Sequence, residues 1–332
     1  MKILKVGLNG FGRIGRAFTR IALTKKSFEI VAINTRKTQT SIMAYLLAFD
    51  SVYRKFGMEV KEEQNGISVN GKKILTLLND KPENIPWDKY GVDVVVDATG
   101  AFTKKVDLEK HLKGSVKKVV LTAPAKDEEI PFVVLGVNDK TFDFKKETII
   151  SNASCTTNCV VPMLKVIQDH FKIRKGFFTT VHAYTATQNL IDGPNKDFRR
   201  ARAAAVNLIP ASSGASEAVE LVLPALKGKI DGAAIRAPIL TGSITDLTAE
   251  VEKKTTVEEV NAVFKKAAEK MKGILQYTEE PIVSSDIVGN SNSCIFDAGL
   301  TKVNQNMIKI FGWYDNEWGY SCRMIDIMCK MK

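Results

Sequence analysis

Metal-ligating side chains are scarce in this sequence. Only three histidines occur, at 111, 170 and 182, and the close cysteine pair Cys155 and Cys159 has no second ligand pair to complete a closed site. A metal centre is therefore not expected. A disulfide framework is disfavoured too. The five cysteines (155, 159, 294, 322 and 329) are odd in number, thinly spread, and read as free thiols of a reducing compartment. No apolar run reaches the ~18 residues of a membrane-spanning helix. The opening MKILKVGLNG lacks the charged-then-apolar pattern of a signal segment, so a cytoplasmic location is the expectation. Internal repeats, low-complexity tracts and long linkers are missing as well. The net charge of +11 has no focus, because its lysines come in ones and twos (Lys25–Lys26, Lys72–Lys73, Lys117–Lys118, Lys253–Lys254). That spread argues for a solvated surface and against a dedicated nucleic-acid site. A diffuse positive field still speeds encounters with anionic phosphate ligands.

What is present has an α/β pattern. With 332 residues and 45% apolar side chains, the chain has room for two domains of roughly 100–200 residues. Over the first 150 residues, short Val- and Ile-rich runs alternate with helix-like segments. The runs are Ile3–Leu8, Ile30–Ile33, Val92–Asp97, Val119–Thr122 and Phe132–Val137; the helical segments include Arg13–Thr24 and the stretch around Leu108–Leu112. Such alternation predicts a parallel sheet with helices on its faces. MEVKEEQNGISVNGKKI interrupts it as a charged hairpin insert, turned at Asn65–Gly66 and Asn70–Gly71. From about residue 175 longer runs follow, several with period-two alternation: GFFTTVHAY, GAAIRAPIL, SITDLTAEVEK and NMIKIFGWYDN. Together with helical stretches at Ala215–Leu226 and Val257–Lys272, they predict an α+β domain with a mainly antiparallel sheet. The final SCRMIDIMCKMK reads as a helix that packs on the first domain.

Asn9-Gly10-Phe11-Gly12-Arg13-Ile14-Gly15 fits G-x-G-x-x-G, directly after the first strand and opening a helix. In this context Gly10 allows a tight turn, Gly12 lets a pyrophosphate approach the backbone, and Gly15 lets the helix pack on the sheet. The helix N-terminus then holds the anion. Dinucleotide binding follows, and with it an acidic residue ~20 positions on to bind the adenosine ribose. VAINTRK puts Thr35 there, followed by Arg36 and Lys37. The ribose-binding acid is missing.

A second constellation is Ser151-Asn-Ala-Ser-Cys155-Thr-Thr-Asn-Cys159, followed by VVPMLKVI. Small and hydroxylated residues turn a strand into a helix that starts close to Cys155. A thiol at a helix N-terminus is acidified by the dipole, so Cys155 is expected to be partly ionised at neutral pH. Further on, TTVHAYT places His182 in a strand, whereas His111 and His170 lie in amphipathic segments with charged neighbours and read as surface residues. Spacing alone leaves two readings of Cys155 and His182. They are a nucleophile with its base, or a buried cysteine and a hydrogen-bonded core histidine. Cys159, one helical turn on, packs on the face of Cys155. Anion-binding candidates are Arg199, Arg200 and Arg202, the helix start after Ser212-Ser213-Gly214, and Arg236 in GAAIRAPI, for which a buried salt bridge is the alternative.

The segments NGFGRIGR, SNASCTTNC, TVHAYTATQ, DGPNKDFRRARAAA, AAIRAP and WYDNEWGYS occur in an order and spacing that resemble the phosphorylating glyceraldehyde-3-phosphate dehydrogenases, from Lys2 to the last helix. The resemblance implies a Rossmann dinucleotide-binding domain over 1–150 and 318–332, a catalytic domain over 151–317, and a homotetramer. It implies Cys155 as nucleophile and His182 as base. The reaction would be oxidation of D-glyceraldehyde 3-phosphate with NAD or NADP and inorganic phosphate, through a cysteine thiohemiacetal and thioester, in glycolysis or gluconeogenesis. By matched position, Thr185, Thr187 and Arg236 bind the substrate's phosphate. Ser154, Thr156, Arg200, Ser213 and Gly214 match the inorganic-phosphate site. Gly10, Phe11, Gly12, Arg13, Ile14, Asn34, Thr35, Arg36, Thr99, Gly100, Phe102 and Thr122 are implied to line the cofactor groove. Asn316 would hold the nicotinamide carboxamide, with Tyr320 beside it.

The chain departs from the family pattern in places. Tyr53-Arg54 stands where many members have His-Gly, Ser212-Ser213 where threonines are common, and Asn195 where histidine is common. Thr35 with Arg36 is the largest departure. Without a repelling carboxylate, and with Arg36 and Lys37 at hand, a 2′-phosphate would be tolerated. NADP is therefore expected to be accepted and preferred, with NAD still usable. Gly193-Pro194 pulls the other way, since it has the NAD-type form in a loop that the resemblance brings from a neighbouring subunit. Three rivals remain: an erythrose-4-phosphate dehydrogenase, a Cys–His hydrolase, and more remotely a nucleic-acid or surface-binding protein. The glycine loop and Asn316 argue against the hydrolase.

Overall fold

The computed structural model describes residues 3–331, which divide into two compact units. The first runs to Val133 and adds Thr141–Ala153 and the segment from Ser321; the second comprises Val134–Lys140 and Ser154–Tyr320.

The first unit is built on eight strands: β1 (Leu4–Asn9), β2 (Phe28–Thr35), β3 (Val60–Glu63), β4 (Gly66–Val69), β5 (Lys72–Leu78), β6 (Val94–Asp97), β7 (Lys118–Leu121) and β8 (Ile149–Ser151). They lie in the order β3-β4-β5-β2-β1-β6-β7-β8. From β5 to β8 every neighbour is parallel, which is the doubly wound Rossmann order. The expected hairpin insert forms as the antiparallel run β3-β4-β5, and Asn65 and Asn70 make its turns at φ 58° and 48°. Three helices accompany this sheet: α1 (Arg13–Leu23), α2 (Thr40–Ala48) and α3 (Lys105–Leu108). The β1–α1 turn needs its glycines. Gly10 sits at φ +99°, and a Cβ on Gly15 would lie 2.2 Å from the Gly10 carbonyl oxygen. A cluster of Trp87, Val92, Val95, Leu108, Val119, Leu121 and their neighbours forms a core of this unit. Each large side chain so buried contributes about 1.5–3 kcal/mol.

Two sequence expectations fail here. Phe132–Val137 is not a strand, because only Phe132 bridges, to Ser151, and the sheet is extended by Ile149–Ser151 instead. The amides that a strand would pair are taken locally: Val134 N–H donates to Asn138 Oδ1, and Gly136 N–H to Asp139 Oδ1. His111 is not a surface residue but fully buried. After Leu108 the helix tightens into a 3₁₀ turn over Glu109–His111. At three residues per turn, His111 eclipses the buried Leu108.

The second unit holds β9 (Ile173–Ala183), β10 (Ile209–Ser212), β11 (Ile230–Ala237), β12 (Ser243–Val251), β13 (Leu275–Thr278), β14 (Cys294–Asp297), β15 (Lys302–Asn304) and β16 (Met307–Tyr314). Their order is β10-β11-β9-β12-β16-β14-β13, with β15 on β16, and the pairs are antiparallel except β9–β11 and β13–β14. Along β12 the alternate residues Ser243, Thr245, Leu247, Ala249 and Val251 are buried. Helix α4 (Cys155–Phe171) packs against β12, β14 and β16. Two further helices are α5 (Ala215–Val222) and α6 (Val257–Lys270), the latter opened by a Thr256–Glu259 capping box. The last helix, α7 (Trp318–Lys330), begins in this unit and continues into the first.

Candidate active site

Two features of the second unit position its chemistry. Ser154 caps α4, its Oγ accepting from Thr157 N–H at 3.1 Å, so Cys155 is the first helical residue. In the sheet, the β9–β11 register sets His182 beside Arg236. These two placements bring Cys155 Sγ to 3.3 Å from His182 Nε2, and Arg236 Nη1 to 2.6 Å from His182 Nδ1. Nδ1 also lies 2.6 Å from the Ala183 carbonyl oxygen. These two contacts need opposite tautomers. When Nδ1–H donates to Ala183, Nε2 carries the lone pair that can take a proton from the thiol. Behind the pair, Tyr314 is buried with its hydroxyl 3.0 Å from Thr156 Oγ1 and 2.6 Å from Thr180 Oγ1, and its ring meets His182 edge-on.

Burial pushes the Cys155 thiol up to about 11, while the Arg236 cation and the Thr156 and Cys155 amides pull it back. Burial, then Arg236, pushes His182 down to about 3. Desolvation thus works against the ionisation that the helix N-terminus favours. Among the described residues no carboxylate pairs with Arg236, so the salt-bridge alternative falls away, and its buried Nε has no hydrogen-bond partner. Arg200 is close enough to press the Arg236 pKa down further, and lies 3.4 Å from Asp197. An orphaned guanidinium donor beside a second cation suits an anion.

The remaining expected residues of this unit are more dispersed. Thr185 and Thr187 hydroxyls meet at 2.9 Å. Ser213 Oγ accepts from Ala215 N–H, and Gly214 precedes α5 without a side-chain cap. None of these shares a hydrogen bond with Cys155 or His182. Asn316 Oδ1 accepts from Thr241 and Ser243 hydroxyls at 3.3 and 3.0 Å, which leaves Nδ2 as its donor. Tyr320 is buried. Ala183, the next residue along β9, and Tyr314 are contacts that sequence reasoning missed; cross-strand register, invisible in spacing, brings in Tyr314.

In the first unit a cavity of about 680 Å³ opens at the carboxyl ends of β1, β2 and β6. Gly10, Phe11, Gly12, Asn34, Thr35, Arg36, Thr99 and Phe102 line it, while Arg13, Ile14, Gly100 and Thr122 do not. Arg13 is instead ion-paired with Asp50. Nothing lies within 4 Å of where a Cβ on Gly12 would stand, so the loop leaves open backbone for a ligand. The wall also carries Lys37, expected beside Arg36, and Asn9, Asn79, Asp80 and Lys81, which sequence reasoning did not select. Position was the available signal for Asn79 to Lys81: they follow β5, the strand beside β2. Asp80 is the single acid on this wall, against the cations Arg36, Lys37 and Lys81. Thr35 Oγ1 accepts from Thr38 N–H at 3.2 Å.

A Rossmann unit with an open glycine-loop cavity, in one chain with a paired thiol and imidazole, is the frame of a cysteine-dependent dinucleotide dehydrogenase. Comparison with known proteins narrows the class. The profile described as "Glyceraldehyde 3-phosphate dehydrogenase, NAD binding domain" matches residues 4–105, and "Glyceraldehyde 3-phosphate dehydrogenase, C-terminal domain" matches residues 154–316. The glyceraldehyde-3-phosphate dehydrogenase of Streptomyces coelicolor is 53% identical over 328 residues, covering 98% of this chain and 97% of its own. That of Mycobacterium avium is 53% identical over 333 residues, with the same coverage, and glyceraldehyde-3-phosphate dehydrogenase 1 of Bacillus cereus is 52% identical over 329 residues, covering 98% of each chain. The chain belongs to the glyceraldehyde-3-phosphate dehydrogenase family.

Proposed function

We propose that this enzyme oxidises D-glyceraldehyde 3-phosphate to 1,3-bisphosphoglycerate with NAD(P)⁺ and inorganic phosphate. The observation that carries the reading is the 3.3 Å approach of Cys155 Sγ to His182 Nε2, with the unpartnered Arg236 donor beside it. His182 takes the thiol proton, and the Cys155 thiolate adds to the aldehyde carbon. The proton passes to the new alkoxide, giving a thiohemiacetal whose oxygen faces the ring of His182 and the Cys155 backbone N–H. His182 then draws that proton back as the carbon is oxidised to the thioester. When bound, the nicotinamide supplies the hydride acceptor. Inorganic phosphate attacks the thioester carbon, releasing the acyl phosphate and restoring the Cys155 sulfur. Arg236, Thr185 and Thr187 are assigned to the substrate phosphate. Ser154, Thr156, Arg200, Ser213 and Gly214 are assigned to inorganic phosphate. Asn316 is assigned to the carboxamide, donating through Nδ2. Replacing Cys155 with Ser is expected to abolish NAD(P)-dependent oxidation while leaving dinucleotide binding; full activity in that variant would refute the scheme. The names of the relatives favour this substrate over erythrose 4-phosphate.

For cofactor choice, Thr35 in place of a carboxylate and the cations Arg36, Lys37 and Lys81 on the wall support acceptance of NADP, preferred over NAD. Comparing kcat/KM for NAD and NADP with glyceraldehyde 3-phosphate tests this, and a more than tenfold advantage for NAD refutes it. A homotetramer is supported by the exposed apolar side chains Leu190, Ile191, Phe198, Val206 and Leu208, which sit within one loop segment. Light scattering on the purified protein checks the number of subunits. The five free thiols support a cytoplasmic location, and among the described residues no helix is long and apolar enough to cross a membrane.

A further inference from the structure

One hydrogen-bonded chain in the first unit has no part in the thiol chemistry above. Trp87 Nε1–H donates to His111 Nδ1 at 3.0 Å. That bond sets the tautomer, so the ring proton sits on Nε2, 3.3 Å from Asp97 Oδ2. Asp97 Oδ2 also accepts from Asn9 Nδ2 at 2.8 Å, and Asp97 Oδ1 from the amide and hydroxyl of Thr99 at 3.1 and 2.6 Å. Asn9 Oδ1 accepts from Asn34 Nδ2 at 2.8 Å, and the Asn34 amide meets the Asn79 backbone twice, Nδ2 donating to its carbonyl oxygen and Oδ1 accepting from its N–H, each at 3.0 Å. Trp87, His111 and Asp97 are fully buried, and Asn9 and Asn34 are 2% exposed.

The chain has a direction. Asn9 offers Nδ2 to Asp97 and Oδ1 to Asn34, and the Asn79 backbone holds Asn34 in the matching sense from the other side. Strand register makes this contiguous, since Asn9 pairs with Asn34 on one side and Asp97 on the other. At one end, Asn9, Asn34, Asn79 and Thr99 lie on the cavity wall; at the other, His111 and Trp87 do not. One end of this polar chain is therefore anchored on two residues off the cavity wall, and the other on the Asn79 backbone.

We propose that His111, held by Trp87, is a positioning residue for the dinucleotide: its donation to Asp97 fixes the carboxylate against which the Asn9 amide and Thr99 are set on the groove wall. This rests on reading the cavity as the dinucleotide site. A buried carboxylate deprived of one donor turns toward other partners, and the Asn9 amide and Thr99 hydroxyl bonded to it shift with it. Binding suffers, while the thiol chemistry, carried by other residues, does not.

The test compares His111→Leu with His111→Gln. Glutamine can accept from Trp87 through Oε1 and donate to Asp97 through Nε2; leucine can do neither. Dissociation constants for NAD, NADP and AMP are measured by titration, with KM for both substrates, kcat, and the rate at which Cys155 reacts with an aromatic disulfide. In His111→Leu, Kd and KM for the dinucleotide are expected to rise about tenfold. The aldehyde KM, kcat at saturating dinucleotide and the thiol rate are expected to stay within twofold, and His111→Gln to recover most of the loss. Should the leucine variant not fold, Trp87→Phe removes the donor that fixes the tautomer, together with part of a buried ring, and is expected to show the same split, about threefold. Unchanged dinucleotide affinity in a folded variant, a uniform loss of all parameters, or glutamine no better than leucine would overturn the proposal. Failure of the wild type to bind any of the three nucleotides would instead overturn the reading of the cavity itself.

Discussion

Removing the Arg236 cation should make Cys155 a slower nucleophile, by an amount the geometry sets. Arg236 Nη1 is 2.6 Å from one ring nitrogen of His182, and Cys155 Sγ is 3.3 Å from the other. Across the ring the cation stands roughly 8 Å from the sulfur, where an effective dielectric of ~20 gives about 2 kcal/mol, or about 1.5 pKa units. Losing it from a thiol already pushed up to about 11 lowers the thiolate fraction at pH 8 about 30-fold. A more basic thiolate is also a better nucleophile, by about fivefold for such a shift. The net expectation for Arg236→Leu is reaction with an aromatic disulfide about sixfold slower. The measurement belongs in a Cys329→Ser background, because Cys329 is exposed. It also belongs in a His182→Asn background, since the same cation holds His182 down and its loss would ease proton transfer. Arg236→Lys should stay within about twofold of the parent. A rate unchanged or faster in Arg236→Leu would refute the electrostatic account.

His182 is depressed from its ordinary value to about 3, so its contribution to stability is present above about pH 6.5 and is lost as pH falls toward 3. Urea unfolding between pH 4.5 and 7 should show this slope in the wild type and a shallower one in His182→Asn; equal slopes would contradict it. Arg54 holds φ 60°, in the left-handed region that favours glycine. Arg54→Gly should therefore stabilise by about 0.5–1 kcal/mol after the unfolded-state cost of glycine, measured as a rise in the urea midpoint. Destabilisation instead would show that the Arg54 side chain outweighs its backbone strain. Thr35→Asp should restore repulsion of a 2′-phosphate and lower kcat/KM for NADP at least tenfold, with NAD unchanged or improved. An equal loss with both cofactors would mean that Thr35 matters only for packing.

The parts legible in the sequence are those governed by local rules. The β1–loop–α1 unit announces itself because its turn and its close helix packing each require glycine, and Cys155 heads a helix because Ser154 is a good cap. Period-two alternation gave β12 nearly to its ends. What escaped depends on register or on competition between nearby groups. Asn9 and Asp97 bond across 88 positions of sequence, and no spacing rule joins them. His111 was misread because its neighbours are charged, while a single 3₁₀ turn decides which way it faces. Phe132–Val137 has the composition of a strand, yet Asn138 and Asp139 capture its amides. The thiol is a similar case: the helix N-terminus that favours its ionisation is visible in sequence, and the desolvation that opposes it is not.

The central claim, a phosphate-cleaved thioester on Cys155, is tested most directly by a single turnover in which phosphate is withheld. Wild-type protein mixed with glyceraldehyde 3-phosphate and excess NAD(P)⁺ should release one equivalent of reduced dinucleotide per active site. It should then stall with an acyl adduct whose mass maps to the peptide bearing Cys155. Adding inorganic phosphate should discharge that adduct and restart turnover. An adduct on another residue, or steady turnover without phosphate, would contradict the account.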